Sequence, residues 1–218
     1  MRRMSPMDVM ALFEKFGAYR KNDHFVYASG KHGHEYLDKK TVLADPDASK
    51  ALAHEMLTRW LSRSHMVPAP DVVAGPAVSG ADLATLVADD FNLMPNWSED
   101  APIRSVSIDK DGQGGFKLSP EAAALVRGRH VLLTEDILNT AASLVAAAKA
   151  VKTAGGIILG AIAIWIRGDV GQLEFPYDAL VKRQLDAYDI RDCPFCKTGR
   201  PINTELGHGK AFLETRPS

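Results

Sequence analysis

Disulfide chemistry has almost nothing to work with in this chain: its 218 residues include two cysteines, Cys193 and Cys196, both late. Two such residues do not make the disulfide framework of a small secreted domain. An excess of one charge is also missing. The 26 Lys and Arg stand against 27 Asp and Glu, leaving a formal charge of -1, so no bulk field draws the protein to nucleic acid or to an anionic membrane. Any affinity for phosphate must be local. Long hydrophobic runs are absent as well, the longest strongly apolar stretch being Ile157 to Ile166, about half of the ~20 residues a membrane helix needs. The segment Met1-Arg2-Arg3-Met4-Ser5-Pro6 has two arginines but no apolar stretch behind them, so a secretory signal is not expected and a cytoplasmic location is. No internal repeat or low-complexity tract occurs, although Ala141 to Ala150 is rich in alanine. What remains, 46% hydrophobic and 24% charged residues, is the balance of an ordinary globular protein, and disordered, collagen-like and coiled-coil classes are excluded. The length suits one good core with a small appendage.

Before residue 70 the chain reads as short elements. Val9, Met10, Leu12, Phe13 and Phe16 recur at helical spacing within Ser5 to Tyr19. Phe25-Val26-Tyr27 and Tyr36-Leu37 read as short strands flanking the polar turn Ser29 to His34. Asp45-Pro46 opens a helix, aspartate as cap and proline in the first turn, that runs to about Arg63 with Leu52, Met56, Leu57, Trp60 and Leu61 on its buried side.

From residue 70 the pattern becomes a repeated strand, loop and helix. Asp71 to Ala74 is a strand, followed by the turn Gly75 to Gly80 and a helix from Ala81 to about Phe91. Ile103 to Ile108 is a second strand, leading into the Gly-rich Asp109 to Gly115. His130 to Thr134 is a third, ending in two acids, and its helix runs from about Ser143 to Thr153, where Gly155-Gly156 stops it. Ile157 to Ile166 is apolar on both faces, as buried parallel strands are. The alternation predicts an α/β fold with a central parallel sheet flanked by helices and a small N-terminal hood. Asp178 to Val181 reads as an edge strand. We expect a single domain over residues 1–218, with hood elements at about 20–45, a core at about 65–185 and an irregular cysteine-containing tail at about 189–218.

Ligands of parallel α/β sheets sit beyond the carboxyl ends of the strands. Leaving the third strand the chain reads Thr134-Glu135-Asp136-Ile137-Leu138-Asn139-Thr140-Ala141-Ala142-Ser143. The helix start offers unpaired backbone N–H groups and the positive end of a dipole, a natural phosphate cradle. The hydroxyls of Thr140 and Ser143 can add hydrogen bonds to phosphate oxygens. Carboxylates repel phosphate but accept hydrogen bonds from vicinal sugar hydroxyls. A sugar phosphate satisfies both ends at once.

The segment Val131 to Ser143 resembles the phosphoribosyl-pyrophosphate motif of type I phosphoribosyltransferases: apolar strand, two acids, two apolar residues, a hydroxylated turn, then a helix. Other segments are similar, in order and spacing, to the orotate phosphoribosyltransferase branch. Ser29-Gly30-Lys31-His32 with Tyr36 and Lys39 resembles its hood motif, Gly75 to Gly80 its pyrophosphate loop and Asp109 to Leu118 its mobile catalytic loop. Ile166-Arg167 stands where a strand-end arginine meets the orotate carboxylate, and Cys193-Pro194-Phe195-Cys196-Lys197 resembles the C-terminal signature of some bacterial members. The resemblance implies transfer of a phosphoribosyl group from phosphoribosyl pyrophosphate to orotate, with Mg²⁺ bound mainly through substrate and a homodimeric assembly. It implies that Glu135 and Asp136 hold the ribose hydroxyls, and that Asn139, Thr140, Ala141, Ala142 and Ser143 cradle the 5-phosphate. It also implies that Val78, Ser79 and Gly80 meet the pyrophosphate, that Lys110 neutralises it as it leaves, and that Lys31 and Arg167 bind substrate. Lys110 and Asp136 are then the catalytic candidates.

Some positions depart from the family pattern. Asn139 stands where threonine is usual, Ala141 where glycine is usual, and Ser79 where several orotate enzymes carry lysine. An alanine at Ala141 would cost about a kcal/mol were its φ positive. Two other readings therefore stand beside orotate transfer: a transferase for a different base, and a nucleotide-binding regulator of the same fold without turnover.

Two motifs have bland readings of their own. His32 and His34 alternate on an extended segment and so point to opposite faces; phosphate or hydroxyl contacts, or plain exposure, are preferred there to metal binding. For Cys193 and Cys196 structural packing is preferred. A zinc site would find only His208 as an obvious later ligand, and a redox motif would need to follow a first strand and cap a helix.

Overall fold

The computed structural model describes residues 6–63, 68–95 and 100–215; Met1 to Ser5, from which the signal reading was made, lie outside them. In chain order the elements begin with α1 (Pro6–Lys15), β1 (Tyr19–Arg20), β2 (Phe25–Val26), β3 (His32–Gly33), β4 (Tyr36–Leu37), α2 (Lys39–Leu43) and α3 (Pro46–Arg63). They continue with β5 (Val72–Pro76), α4 (Ser79–Asn92), β6 (Arg104–Lys110), β7 (Phe116–Lys117), α5 (Pro120–Val126) and β8 (His130–Leu138). The last are α6 (Ala142–Thr153), β9 (Ile157–Ile166), β10 (Tyr177–Lys182), α7 (Pro194–Lys197) and α8 (Gly209–Glu214). No helix among the described residues is long and apolar enough to cross a membrane.

The chain divides into two compact units, one of Met1–Val9 and Pro46–Arg183, the other of Met10–Asp45 and Gln184–Ser218. The first unit holds a six-stranded sheet in the order β10-β9-β8-β5-β6-β7. All neighbours are parallel except β6 and β7, which form an antiparallel hairpin. The expected α/β architecture is therefore present, with the edge strand at β10. One side of the sheet is filled by Val72, Ala74, Val131 and Leu133 against Ala122 and Val126 of α5 and Leu144, Ala147 and Val151 of α6. β9 is buried from Leu159 to Trp165, as a strand covered on both faces must be.

Two boundaries differ from the sequence reading for tertiary reasons. β8 continues four residues past Thr134 because β9 runs alongside it, pairing Glu135 with Ala163, Ile137 with Trp165 and Leu138 with Ile166. The acid pair therefore lies inside a strand rather than beyond its end. α5, which hydrophobic spacing did not indicate, starts at Ser119, whose hydroxyl accepts the Ala122 N–H at 3.2 Å, with Pro120 in the first turn. The Ser-Pro-Glu signal was there to be read. The helix stop after α6 is where Gly155-Gly156 placed it, Gly155 taking φ +87°.

The second unit holds the end of α1, α2 and small antiparallel pairs, β1 with β4 and β2 with β3, plus the tail. The tail is not irregular, as the sequence suggested, but carries α7 and α8. It is tied to the β2 region by backbone bonds from Asn203 N–H to His24 O at 2.8 Å and from His208 N–H to Val26 O at 2.9 Å, and by a bridge between Tyr188 and His32.

In the first unit the turn between β5 and α4 is folded back so closely that a Cβ on Gly75 would strike the carbonyl group of Gly80. Gly75→Ala is expected to destabilise the protein by about 1–3 kcal/mol, the range for overpacking a fitted site, as measured by urea unfolding; an unchanged midpoint would contradict this close fit.

Candidate functional site

The sheet order reverses its direction of growth at β5 and β8. From β5 the chain passes through α4 to β6 on one side; from β8 it passes through α6 to β9 on the other. At such a switch point the two outgoing loops diverge and leave a crevice between the strand ends. The two turns singled out in the sequence, Gly75 to Gly80 and Asn139 to Ser143, are the loops that flank it.

The first turn is held in place from three sides. Gly75 and Gly80 approach without side chains between them. The buried Thr134 hydroxyl donates to Gly80 O at 2.9 Å and reaches Ala74 O at 3.3 Å, fastening β8 to the turn. Ala77 N–H donates to Ile108 O at 3.0 Å, fastening β6. The Ala77–Val78 peptide is cis. α4 starts at Ser79, two residues earlier than expected, and Val78 at the apex is 74% exposed. Of the three residues assigned to pyrophosphate, Val78 is thus presented to solvent, Ser79 is half-buried and Gly80 is buried.

Alternation along β8 puts Asp136 on the Thr134 face and Glu135 on the opposite one. Asp136 is 2% exposed, and its Oδ1 accepts the Ile137 N–H at 2.5 Å. Glu135 is half-buried and its Oε1 accepts the Asp136 N–H at 3.0 Å. Both carboxylates are therefore oriented by backbone donors rather than hanging as loose loop acids.

After Leu138 the chain turns at Asn139 and Thr140, both exposed, into α6. Ala141 caps that helix with φ -77° and ψ -5°, an ordinary right-handed conformation. The glycine usual at this position in the family is not needed for backbone strain, and the cost considered above does not arise. Ala142 and Ser143 are exposed in the first turn, where Ala142 N–H reaches Thr140 Oγ1 at 3.5 Å and Ala141 supplies no side-chain cap. Arg167, just past β9, donates its N–H to Leu138 O at 2.9 Å, and its guanidinium Nε donates to Asn139 Oδ1. The strand-end arginine and the Asn139 turn are thus in contact.

Asp109 to Leu118, expected as a mobile loop, contains a short hairpin. β6 and β7 pair Asp109 with Lys117 and Lys110 with Phe116. Asp111 Oδ1 accepts N–H groups from Gln113 at 2.7 Å and Gly115 at 2.8 Å, and these bonds hold its carboxyl below the ordinary range. Lys110 is exposed at the end of β6. Lys31 belongs to the second unit, where its ammonium lies 3.9 Å from Asp189, both groups exposed.

The sequence reading missed a different cluster in that second unit. His24 and His32 meet Cys193 and Cys196, with one donor atom of each within 4.8 Å of the others. His32 is fully buried, contrary to the expected phosphate contact or exposure, whereas His34 is half-buried and 3.8 Å from Asp186. His208, the ligand suggested by spacing, is not in the group. No local signal links His24 to Cys193; only the β2–β3 hairpin and the returning tail bring them together.

A model of the phosphoribosyl transferase domain matches residues 48–190. The chain is similar to the orotate phosphoribosyltransferase of Deinococcus radiodurans, 33% identical over 202 residues that cover 91% of this chain and 98% of that protein. It is also 30% identical over 201 residues to that of Caldanaerobacter subterraneus subsp. tengcongensis, covering 91% and 96%. Among solved structures, Mycobacterium tuberculosis H37Rv orotate phosphoribosyltransferase in complex with inorganic phosphate superposes with a TM-score of 0.57 at 23% identity, over 81% of this chain and 96% of that one. At that identity the likeness speaks for the fold.

The Asp111 bonds generate a local prediction. Because the folded-state value is lowered, the support they give the hairpin is complete above the ordinary carboxylate value and fades as pH falls through the lowered one. Asp111→Ala at neutral pH is expected to speed hydrogen exchange at Gln113 and Gly115, and strong acidification of the wild type to do the same. Unaltered protection in the variant would show that the turn holds without the carboxylate.

Proposed function

Since the chain belongs to the phosphoribosyltransferase family, among its orotate phosphoribosyltransferases, we infer that it transfers the phosphoribosyl group of phosphoribosyl pyrophosphate to orotate. The products are orotidine 5'-monophosphate and pyrophosphate. The observation that carries this reading is the convergence, at one switch point, of a turn closed by two glycines, a backbone-oriented acid pair and an exposed helix start. A sugar carrying phosphate at one end and pyrophosphate at the other has the polarity this arrangement can receive.

The new bond joins a pyrimidine ring nitrogen to the anomeric carbon as the bond from that carbon to the pyrophosphate oxygen breaks. Charge develops toward an oxocarbenium ion, so the protein's task is positioning and electrostatics rather than covalent participation. Thr140, Ser143 and the N–H groups of residues 139–143 take the 5-phosphate, favoured by the α6 dipole. Glu135 and Asp136 accept from the ribose hydroxyls. Val78, Ser79 and Gly80 border the pyrophosphate, and Lys110 supplies a cation to it. Arg167 offers its planar fork to the base's carboxylate, exchanging the Asn139 bond for a charged one. Lys31 is, in this reading, a further substrate contact.

Magnesium ion fits the donor set. The acid pair offers hard oxygen ligands without a thiol or imidazole, and among the described residues no third carboxylate joins it. Mg²⁺ commonly takes one or two carboxylates and draws its remaining ligands from substrate phosphates and water. Half-buried Glu135 would hold it, substrate oxygens and water supplying the remaining ligands, and when bound it would offset the charge of the departing pyrophosphate. A cytoplasmic homodimer is the setting we propose.

Pyrophosphate release in the presence of phosphoribosyl pyrophosphate, Mg²⁺ and a panel of bases tests the reading. Release with orotate is expected. Release only with a purine would replace the substrate, and binding of the sugar phosphate without release from any base would leave a regulator. Asp136→Asn is expected to lower kcat/KM by ~100-fold or more, in the range for losing one preorganised electrostatic group, with the fold retained by circular dichroism. Arg167→Ala is expected to raise the KM for orotate well above its effect on the KM for phosphoribosyl pyrophosphate; an equal rise in both would remove the carboxylate role.

A further inference from the structure

We propose that His24, His32, Cys193 and Cys196 form a structural zinc site that closes the second unit, independent of the transferase chemistry. The four donor atoms are His24 Nε2, His32 Nδ1 and the two Sγ atoms, all within 4.8 Å of one another. His24 Nε2 stands 3.6 Å from Cys193 Sγ and 3.6 Å from Cys196 Sγ, and His32 Nδ1 stands 3.3 Å from Cys196 Sγ. Tetrahedral zinc, with bonds of about 2.3 Å to sulfur and about 2.05 Å to nitrogen, puts such sulfur and nitrogen atoms about 3.6 Å apart. The two ring nitrogens are 2.8 Å apart and would open to about 3.3 Å around the ion.

The tautomer of His24 is already set for ligation. Its Nδ1 lies 2.9 Å from Arg200 O, a group that can only accept, so the ring proton belongs on Nδ1 and the lone pair on Nε2 points into the cluster. Metal-bound histidines characteristically place their second nitrogen on such an acceptor.

The surroundings are those of a closed, structural centre. His24, His32 and Cys193 are at most 1% exposed and Cys196 is half-buried. Phe212 meets the His32 ring edge-on with centroids 5.0 Å apart, and Phe195 lies 5.7 Å from His24. Two thiolates, two neutral imidazoles and Zn²⁺ sum to zero charge, so the assembled centre can be buried without an uncompensated ion. Binding replaces the two thiol protons, which leave to solvent. A set of two sulfur and two nitrogen ligands selects zinc over magnesium or calcium. The thiols are not joined as a disulfide, and the burial of Cys193 keeps it from the exchange a redox motif requires.

The ligands come from widely separated parts of the chain. His24 precedes β2, His32 lies in β3, Cys193 caps α7 and Cys196 lies within it. The ion would pin the tail to the hairpin at the point where hydrogen bonds and ring contacts join them.

Full-length protein without an affinity tag rich in histidine, purified from zinc-supplemented cells and dialysed, is expected to retain about one zinc per chain by elemental analysis. Cobalt loaded into the reduced, metal-stripped protein should give the visible bands of a tetrahedral site with thiolate charge transfer. Cys196→Ser and His24→Gln should each lose zinc or alter that spectrum, and chelation should lower Tm. Absence of zinc together with absence of a cobalt spectrum would overturn the proposal, as would full zinc retention with an unchanged cobalt spectrum in both variants. Should a variant fail to fold, the wild-type stoichiometry and spectrum decide. Orotate turnover is a separate readout, so either reading can fail alone.

Discussion

The Thr134 hydroxyl donates to the carbonyl of Gly80 while the Gly75 and Gly80 backbones approach more closely than any side chain would permit. That joint depends on β5 and β8 being neighbours in the sheet, and it determines where both outgoing turns can stand. Were Gly75 to carry a Cβ, Gly80 would have to shift, and the distance between the turn and the acid pair would change with it. Strand adjacency, rather than any one charged residue, is therefore the condition for the whole site.

On that frame the chemistry is carried by oriented dipoles and a few charges. Asp136 and Glu135 lean on backbone N–H groups of their own strand, and Ala141 begins α6 in an unstrained conformation. The departure from glycine at Ala141 thus preserves the helix start. The departure at Asn139 adds something, a side-chain acceptor for Arg167. Arg167 is consequently held in a defined position, which under its proposed role would reduce the ordering needed to bind a carboxylate.

The second unit obeys a different logic. Its strands are two residues each and its tail has only short helices, so its core, with Phe13, Phe25 and Val26 buried, is a small one. Hydrogen bonds from Asn203 and His208 to the β2 region hold the tail, and the imidazole–thiol cluster sits at the centre of the same junction. A metal clip there would supply what a small core lacks, as structural zinc does in other small folds.

The α/β alternation, the parallel sheet, the edge strand at β10 and the turns that border the candidate site were legible in the sequence. Strand and helix periods, glycine stops and the acid-acid-hydroxyl order are local properties that neighbours along the chain suffice to express. The extension of β8 through the acid pair was not legible, because it follows from pairing with β9; nor was the hairpin, whose turn is closed by Asp111 across four residues of apparently free loop. Least legible was the meeting of His24 and His32 with Cys193 and Cys196. Residues more than 160 positions apart have no shared period or spacing, and only the closure of the chain on itself brought their donor atoms together.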